Sequence, residues 1–233
     1  MAINKESNAY TFGFSILLVI VVGAILSSLS LGLKPLKDKN AEVKKQIDIL
    51  NAIGVDADRS NALELYTQYV GNNTFVVSVQ GEKLEGEDAF ALDVQKQHRD
   101  KTIAEDARKF PVFVANKDGQ TMYVLPTVGK GLWGPIWGFV AVGEDMETIV
   151  GASFDHKTET PGLGAEIKNT SFEEQYIGAK MTSNITVVKD GSGKLDAQKV
   201  DGITGGTITS KGVEEMMNRT MAVYAAYFSK TKI

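Results

Sequence analysis

From Ser7 to Leu33 the chain carries no charged side chain, and residues 12–33, FGFSILLVIVVGAILSSLSLGL, are almost wholly apolar. About 20 such residues at a rise of about 1.5 Å cross a hydrocarbon core of about 30 Å. A buried core helix of this length usually keeps a polar face. A cleaved signal has a shorter apolar stretch, about 7–15 residues, before a small-x-small site, and Ser27-Ser28-Leu29-Ser30 makes a poor site of that kind. Residues 10–33 are therefore expected to form a retained, single-pass transmembrane helix behind an N-terminal flank, 1–9. Charge does not orient this anchor. Lys5 and the α-amino group precede it, offset by Glu6, whereas Lys34, Lys37, Lys39, Lys44 and Lys45 follow it. Counted literally, those lysines keep the large domain in the cytoplasm, but long domains translocate largely regardless of charge.

The composition narrows the chemistry. Cysteine is absent, which removes disulfides, thiolate metal sites, Cys-ligated iron–sulfur clusters and catalytic thiols together. The two histidines, His98 and His156, are too few for a His-rich centre, so no metal site is expected. A net charge of -4 and a pI near 5.3 leave no basic footprint for nucleic acid. Redox chemistry in such a chain has to come from an organic cofactor.

Residues 34–52 read as a solvated, lysine-rich stalk helix with Leu36, Val43, Ile47 and Leu50 along one side. Residues 62–70 and 86–109 mix charges with apolar positions as surface helices do, with His98 on a solvated face. The texture changes at Phe110. Strand-like runs follow at 112–115, 121–126, 136–142, 148–154 and 184–189, separated by turns such as Asn116-Lys117-Asp118-Gly119 and Asp190-Gly191-Ser192-Gly193. A closing helix is signalled by Val213, Met216, Met217, Met221, Tyr224 and Phe228 at three- and four-residue spacing, with Ser210 as N-cap and Glu214 and Glu215 soon after. The expected architecture is α+β: a stalk and helical region over 34–109, then a twisted, mostly antiparallel sheet with flanking helices over 110–233.

Three glycine-rich segments stand out: GKGLWGPIWG (129–138), TETPGLGAEI (158–167) and DGITGGTITS (201–210). None matches the P-loop or the dinucleotide fingerprint, and each glycine alone could serve a tight turn. The third segment says more, because it runs into the closing helix. Unpaired N–H groups and the positive end of the helix dipole favour a phosphate there. Gly205 and Gly206 let a bulky phosphoryl group approach the backbone. Physical chemistry stops at a phosphate-binding turn, with hydroxyl-rich helix capping as its rival.

Resemblance goes further. Asp201 to Ser210 resembles the flavinylation motif of the FMN-binding domain family, approximately D-G-(I/L)-S-G-A-(T/S)-x-(T/S)-S, with Thr204 where serine is usual and Gly206 where alanine is usual. The family's acceptor threonine falls on Thr207. Residues 131–167, GLWGPIWGFVAVGEDMETIVGASFDHKTETPGLGAEI, are similar to the middle of the C subunits of sodium-translocating NADH:quinone oxidoreductases. There a G-L-W-x-x-x-x-G-F run and an H-x-E-T-P-G-L-G run flank the flavin. Here two residues, Lys157 and Thr158, separate His156 from Glu159, one more than usual. The G subunits of Rnf electron-transport complexes share fold, anchor and threonyl flavin. Trp133 after Gly131-Leu132 looks more like the quinone reductase, while Gly134-Pro135-Ile136 also resembles the Rnf version.

The resemblance implies covalent FMN, bound through its phosphate to Thr207. Cofactor contacts are expected from Thr204, Gly205, Gly206 and Thr209, from Gly131, Leu132 and Trp133, and from Glu159, Thr160, Leu163 and Gly164. His156 is expected to hydrogen-bond within the Thr160-Pro161 loop, and Trp137 to serve strand packing. The implied role is an electron-transfer component of a sodium-pumping NADH:ubiquinone oxidoreductase in the bacterial inner membrane. Its flavin domain would face the outer side, with little activity alone and neither an NADH site nor a sodium path of its own. Implied partners are integral-membrane and flavin or iron–sulfur subunits, and a flavin transferase during maturation. Three alternatives stay open: a non-redox anchored scaffold, a free-standing flavoenzyme and an Rnf-type electron carrier.

Overall fold

The computed structural model describes residues 7–231, so the flank charges Lys5 and Glu6 lie outside the described residues. The chain divides into two units at Lys44/Lys45. The first contains helix α1, Asn8–Gly32, capped by Ser7, whose hydroxyl accepts the Tyr10 N–H at 3.2 Å. No residue of α1 is buried. Its 25 residues extend about 37 Å at about 1.5 Å per residue, and it is the one helix among the described residues long and apolar enough to cross a membrane.

Helix α2, Lys34–Ala52, runs across the division. Its last turns are not a solvated stalk: Gln46, Asp48, Ile49, Leu50 and Ala52 are buried in the second unit. Lys45 belongs to that unit as well, donating to the carbonyls of Phe90 (2.6 Å) and Leu92 (3.2 Å) over the rings of Phe90 and Phe113. Helix α3, Ala62–Tyr69, follows as expected.

The second unit is built on one antiparallel sheet of six strands. These are β1 (Thr74–Ser78), β2 (Lys83–Leu84), β3 (Lys109–Lys117), β4 (Gln120–Lys130), β5 (Pro135–Val142) and β6 (Ile149–His156), in the spatial order β2-β1-β3-β4-β5-β6. Successive side chains point to opposite faces, and the cores follow that alternation. Val112, Leu125 and Val140 belong to one cluster and their neighbours Phe113, Val124 and Phe139 to another. The first cluster is closed by helix α6, Thr207–Thr231, through Val213, Met216, Met217, Met221, Tyr224 and Phe228. The second is closed by Ile49 and Leu50 of α2 and Tyr66 of α3.

Two expectations need correction. Residues 86–109 are not continuous helix: only α4, Val94–Arg99, and a short 3-10 turn at Glu105–Ala107 form. Asp88 and Asp100 each accept backbone N–H groups two or three residues ahead, local bonds that compete with helix propagation, whereas the same kind of bond from the Lys96 N–H to Asp93 caps α4. The sheet also starts earlier than Phe110. Strand β1 is five residues and β2 two, too short for their alternation to stand out from polar surroundings. The run at 184–189 does form strand β7, Thr186–Val188, but outside the main sheet. It pairs in parallel with β8, Lys199–Asp201, after the one-turn helix α5, Thr170–Glu173.

Hairpin geometry decides what meets at one end of the sheet. Asp118 and Gly119 close β3 onto β4 with φ of 53° and 79°, the positive angles of a two-residue type I′ turn. At the other end Lys130 faces Pro135 across the Gly131–Gly134 turn, and Ile136 faces His156. The 131–134 turn and the loop leaving β6 therefore emerge side by side. Helix α6 starts at the same end because it packs tightly on β4. A Cβ on Gly212 would lie 2.4 Å from the Lys130 carbonyl oxygen, and Arg219 donates to the Val128 carbonyl at 2.6 Å. In a helix interior alanine is ordinarily about 1 kcal/mol better than glycine. Gly212→Ala is nevertheless expected to lose about 1–3 kcal/mol through overpacking, read as a lower thermal unfolding midpoint. A gain would show that α6 is not seated on Lys130.

Candidate functional site

The three glycine-rich segments converge on one side chain. Glu159 is 5% exposed. Its Oε1 accepts the N–H groups of Trp133 (2.8 Å) and Gly134 (3.2 Å), and its Oε2 accepts the Thr209 hydroxyl (2.6 Å). A single carboxylate thus joins the β4–β5 turn, the loop after β6 and the first turn of α6. Burial pushes its pKa up. The Thr209 hydroxyl and the amides of Trp133, Gly134 and Leu132 outweigh that and hold it below the usual value of 4.5.

The glycines exist to let these groups meet. A Cβ on Gly131 would fall 2.6 Å from Glu159 Oε1. One on Gly164 would fall 2.5 Å from Glu159 Oε2 and 2.4 Å from Thr209 Oγ1. The loop is shaped by Pro161 and Gly162, the latter at φ 76°, with the Leu163 N–H donating to the Thr160 carbonyl at 3.1 Å. That is the signature of a type II turn. His156 accepts the Glu159 N–H at Nδ1, 3.2 Å away, so it ties the loop's base as the sequence suggested.

The start of α6 differs from expectation. The helix begins at Thr207, and Ser210 is not its N-cap. Ser210 lies inside the first turn, where its hydroxyl donates to the Gly206 carbonyl (3.0 Å) and accepts the Ile203 N–H (3.1 Å). The preceding turn is left-handed at Gly205, φ 75°, and the helix starts four residues earlier than a cap at Ser210 would place it.

An open cleft of about 230 Å³ lies over these elements, lined by Leu132, Trp133, Glu159, Thr160, Leu163, Gly164, Gly205, Gly206, Thr207, Ile208 and Thr209. Of the residues named from sequence, Gly131 is not in the lining but touches Glu159. Thr204 is exposed beside the cleft and does not line it. Ile208, 59% exposed, was not named from sequence; its place next to Thr207 in the third glycine-rich segment is the signal that could have found it. Leu132, Trp133, Leu163 and Ile208 leave an apolar rim open to solvent.

The hub can be tested directly. Glu159→Ala strands a hydroxyl and two amides and is expected to cost about 2–3 kcal/mol at neutral pH, with Glu159→Gln costing less. The folded pKa is depressed, so the stabilisation is present above 4.5 and lost as pH falls through the lower folded value. The gap between wild type and Glu159→Gln, measured by denaturant unfolding, should therefore narrow below that pH. A gap that does not change with pH would mean the carboxylate charge is not what joins the three segments.

Known proteins place this geometry. Residues 131–222 match the FMN-binding domain model. The C subunit of the Na(+)-translocating NADH-quinone reductase of Vibrio alginolyticus is 33% identical, over 92% of this chain and 90% of that protein. The crystal structure of the corresponding C subunit from Parabacteroides distasonis aligns with a TM-score of 0.75 at 42% identity, covering 84% of this chain and 97% of that one. Shewanella oneidensis NqrC shares the fold, with a TM-score of 0.66 at 24% identity over 82% of this chain and 97% of that one. On this similarity, and with an FMN-binding domain over the converging segments, the chain belongs to the NqrC family, the C subunits of Na(+)-translocating NADH-quinone reductases.

Proposed function

We propose that the chain is a membrane-anchored electron-transfer subunit whose FMN is esterified through its phosphate to Thr207. The observation that carries this reading is the state of the hydroxyls at the start of α6. Thr209 is 1% exposed and its hydroxyl is spent on Glu159, and Ser210 is fully buried with its hydroxyl turned back to Gly206. Thr204 stands outside the cleft lining. Thr207 is half-buried, lines the cleft and occupies the first helical position.

The surroundings suit a phosphate. The first N–H groups of a helix have no intrahelical acceptor and favour an anion at that end. Gly205 and Gly206 leave the approach open. A side chain on Gly205 would instead meet Leu163 Cδ2 at 2.6 Å. Because Glu159 takes the amides of the 131–134 turn and the Thr209 hydroxyl, its negative charge is solvated by those donors and the first α6 amides stay available. When bound, FMN supplies reversible one- and two-electron chemistry of a kind the side chains of this cysteine-free protein do not offer. Trp133 (68% exposed), Leu132 (47%) and Leu163 (41%) provide apolar surface for a planar ring. No covalent bond to that ring is implied, so contacts from this rim and the hydrogen-bonded loops set its environment.

The same reading takes α1 as a single-pass anchor in the bacterial inner membrane, with the flavin domain on the outer side. The lysine count opposes that orientation less than it first did, since Lys45 is half-buried in the second unit with its ammonium on two carbonyls. The partners in this reading are the membrane and redox subunits of the same complex, with a flavin transferase attaching the cofactor.

The test is the intact mass of the full chain co-expressed with the flavin transferase, for wild type, Thr207→Ala and Thr204→Ala. Wild type and Thr204→Ala should gain one FMN less water and keep yellow colour after denaturation, and Thr207→Ala should gain nothing. Equal mass gain on Thr207→Ala would move the attachment to another residue. No gain on any chain would favour a scaffold without flavin.

A further inference from the structure

Leu132, Trp133, Leu163 and Ile208 stand open to solvent at the cleft, and two lysines border them. Lys130 ends β4 and faces Pro135 of β5, and the Lys157 N–H donates to the carbonyl of that same Pro135 at 3.1 Å. Residues directly opposite on neighbouring strands put their side chains on one face. Lys130 and Lys157 thus share a face with one strand between them, their backbones about 10 Å apart at a strand spacing of about 4.8 Å. Both are exposed, and neither has an ion pair or side-chain hydrogen bond among the described residues.

Other lysines of the sheet are held. Lys83 lies 3.7 Å from Glu85, Lys109 lies 2.6 Å from Glu87, and Lys117 donates to the carbonyls of Ile53 and Gly54. The carboxylates of the loops beside the rim are engaged there. Glu166 accepts the Gly162 N–H at 2.7 Å and the Asn169 amide, half-buried Asp155 accepts the His156 N–H at 2.8 Å, and Glu159 is buried. The outcome is a local positive border on a chain whose net charge is -4. An exposed apolar patch rimmed by polar groups marks an interaction surface, and tryptophan is among the side chains that carry most of the energy in protein interfaces. A bilayer matches less well, because recognition of acidic lipid takes clusters of about 4–8 Lys or Arg, and this border supplies only Lys130 and Lys157.

We propose that the rim is the docking surface for an acidic protein partner, whose carboxylates pair with Lys130 and Lys157 around an apolar centre on Leu132 and Trp133. The inference rests on the electron-transfer reading above, since a partner seated there covers the cleft assigned to the cofactor. Charges at the border of an interface act on association rate and its salt dependence more than on final affinity.

The probes are the acidic soluble domain of cytochrome b5 and, as its opposite in charge, cytochrome c. Association with the full chain in detergent is measured before and after flavin attachment, for wild type, Lys130→Gln/Lys157→Gln and Asn116→Asp/Gln120→Glu. The last variant makes the same change in net charge on exposed residues at the opposite end of β4. At low salt the lysine variant should associate with cytochrome b5 about fivefold or more slowly than wild type, and the far-end variant within about twofold of it. High salt should remove the difference, and cytochrome c should show the opposite sign. In the flavin-loaded chain, the rate at which the reduced cofactor passes one electron to ferric cytochrome b5 should fall by the same factor. A binding effect without that rate effect would uphold the docking surface and count against the electron-transfer reading. Equal effects of the two variants on binding, or no effect of either, would overturn the docking surface. So would a lysine effect that persists in nanodiscs of neutral lipid and disappears in anionic ones, which would assign the lysines to lipid headgroups.

Discussion

The buried carboxylate of Glu159 is the interaction on which the site depends. Loops carry unpaired backbone groups and little core, and three of them meeting at one end of a sheet would ordinarily drift. Here one side chain accepts from the 131–134 turn with one oxygen and from the first turn of α6 with the other, while its own N–H is held by His156. A charged acceptor forms hydrogen bonds roughly twice as strong as a neutral one, and its low exposure protects them from water. The glycines follow from that hub. Gly131 and Gly164 press against its two oxygens, so neither position has room for a Cβ.

The scaffold below the hub is rigid where it needs to be. Strands β4, β5 and β6 are paired in register up to the residues where the loops begin. Helix α6 is held on β4 through Gly212 and Arg219, and on the carbonyl of Pro111 through the Tyr224 hydroxyl at 2.9 Å. The positive end of that helix is thereby fixed over the cleft. An anion placed at Thr207 meets preorganised dipoles, so little ordering cost arises on binding.

Much of this was legible in the sequence because it rests on local rules. The alternation in 112–126 and the Asp118-Gly119 turn specify a hairpin, and the spacing of Val213, Met217, Tyr224 and Phe228 specifies one buried helix face. The apolar run from Phe12 to Leu33 announces α1 unaided. The three glycine-rich segments could be named as a set, with Thr207 singled out through resemblance to a flavinylation motif. What escaped was tertiary in origin. Ser210 looks like a cap, and only the left-handed Gly205 turn moves the helix start back to Thr207. The half-burial of Lys45 against aromatic rings and carbonyls, and that of His98, depend on residues far away in sequence. The acidic residues at 88 and 100 looked helical by charge pattern, yet their carboxylates build turns, and only Asp93 starts a helix, as the cap of α4.

The most direct measurement is a crystal structure of the full chain after flavinylation. The account predicts density continuous from Thr207 Oγ1 into a phosphate beside the first-turn amides of α6, with Glu159 still bonded to Trp133, Gly134 and Thr209. A phosphate joined to any other hydroxyl, or a flavin-loaded cleft in which Glu159 has released those partners, would contradict it.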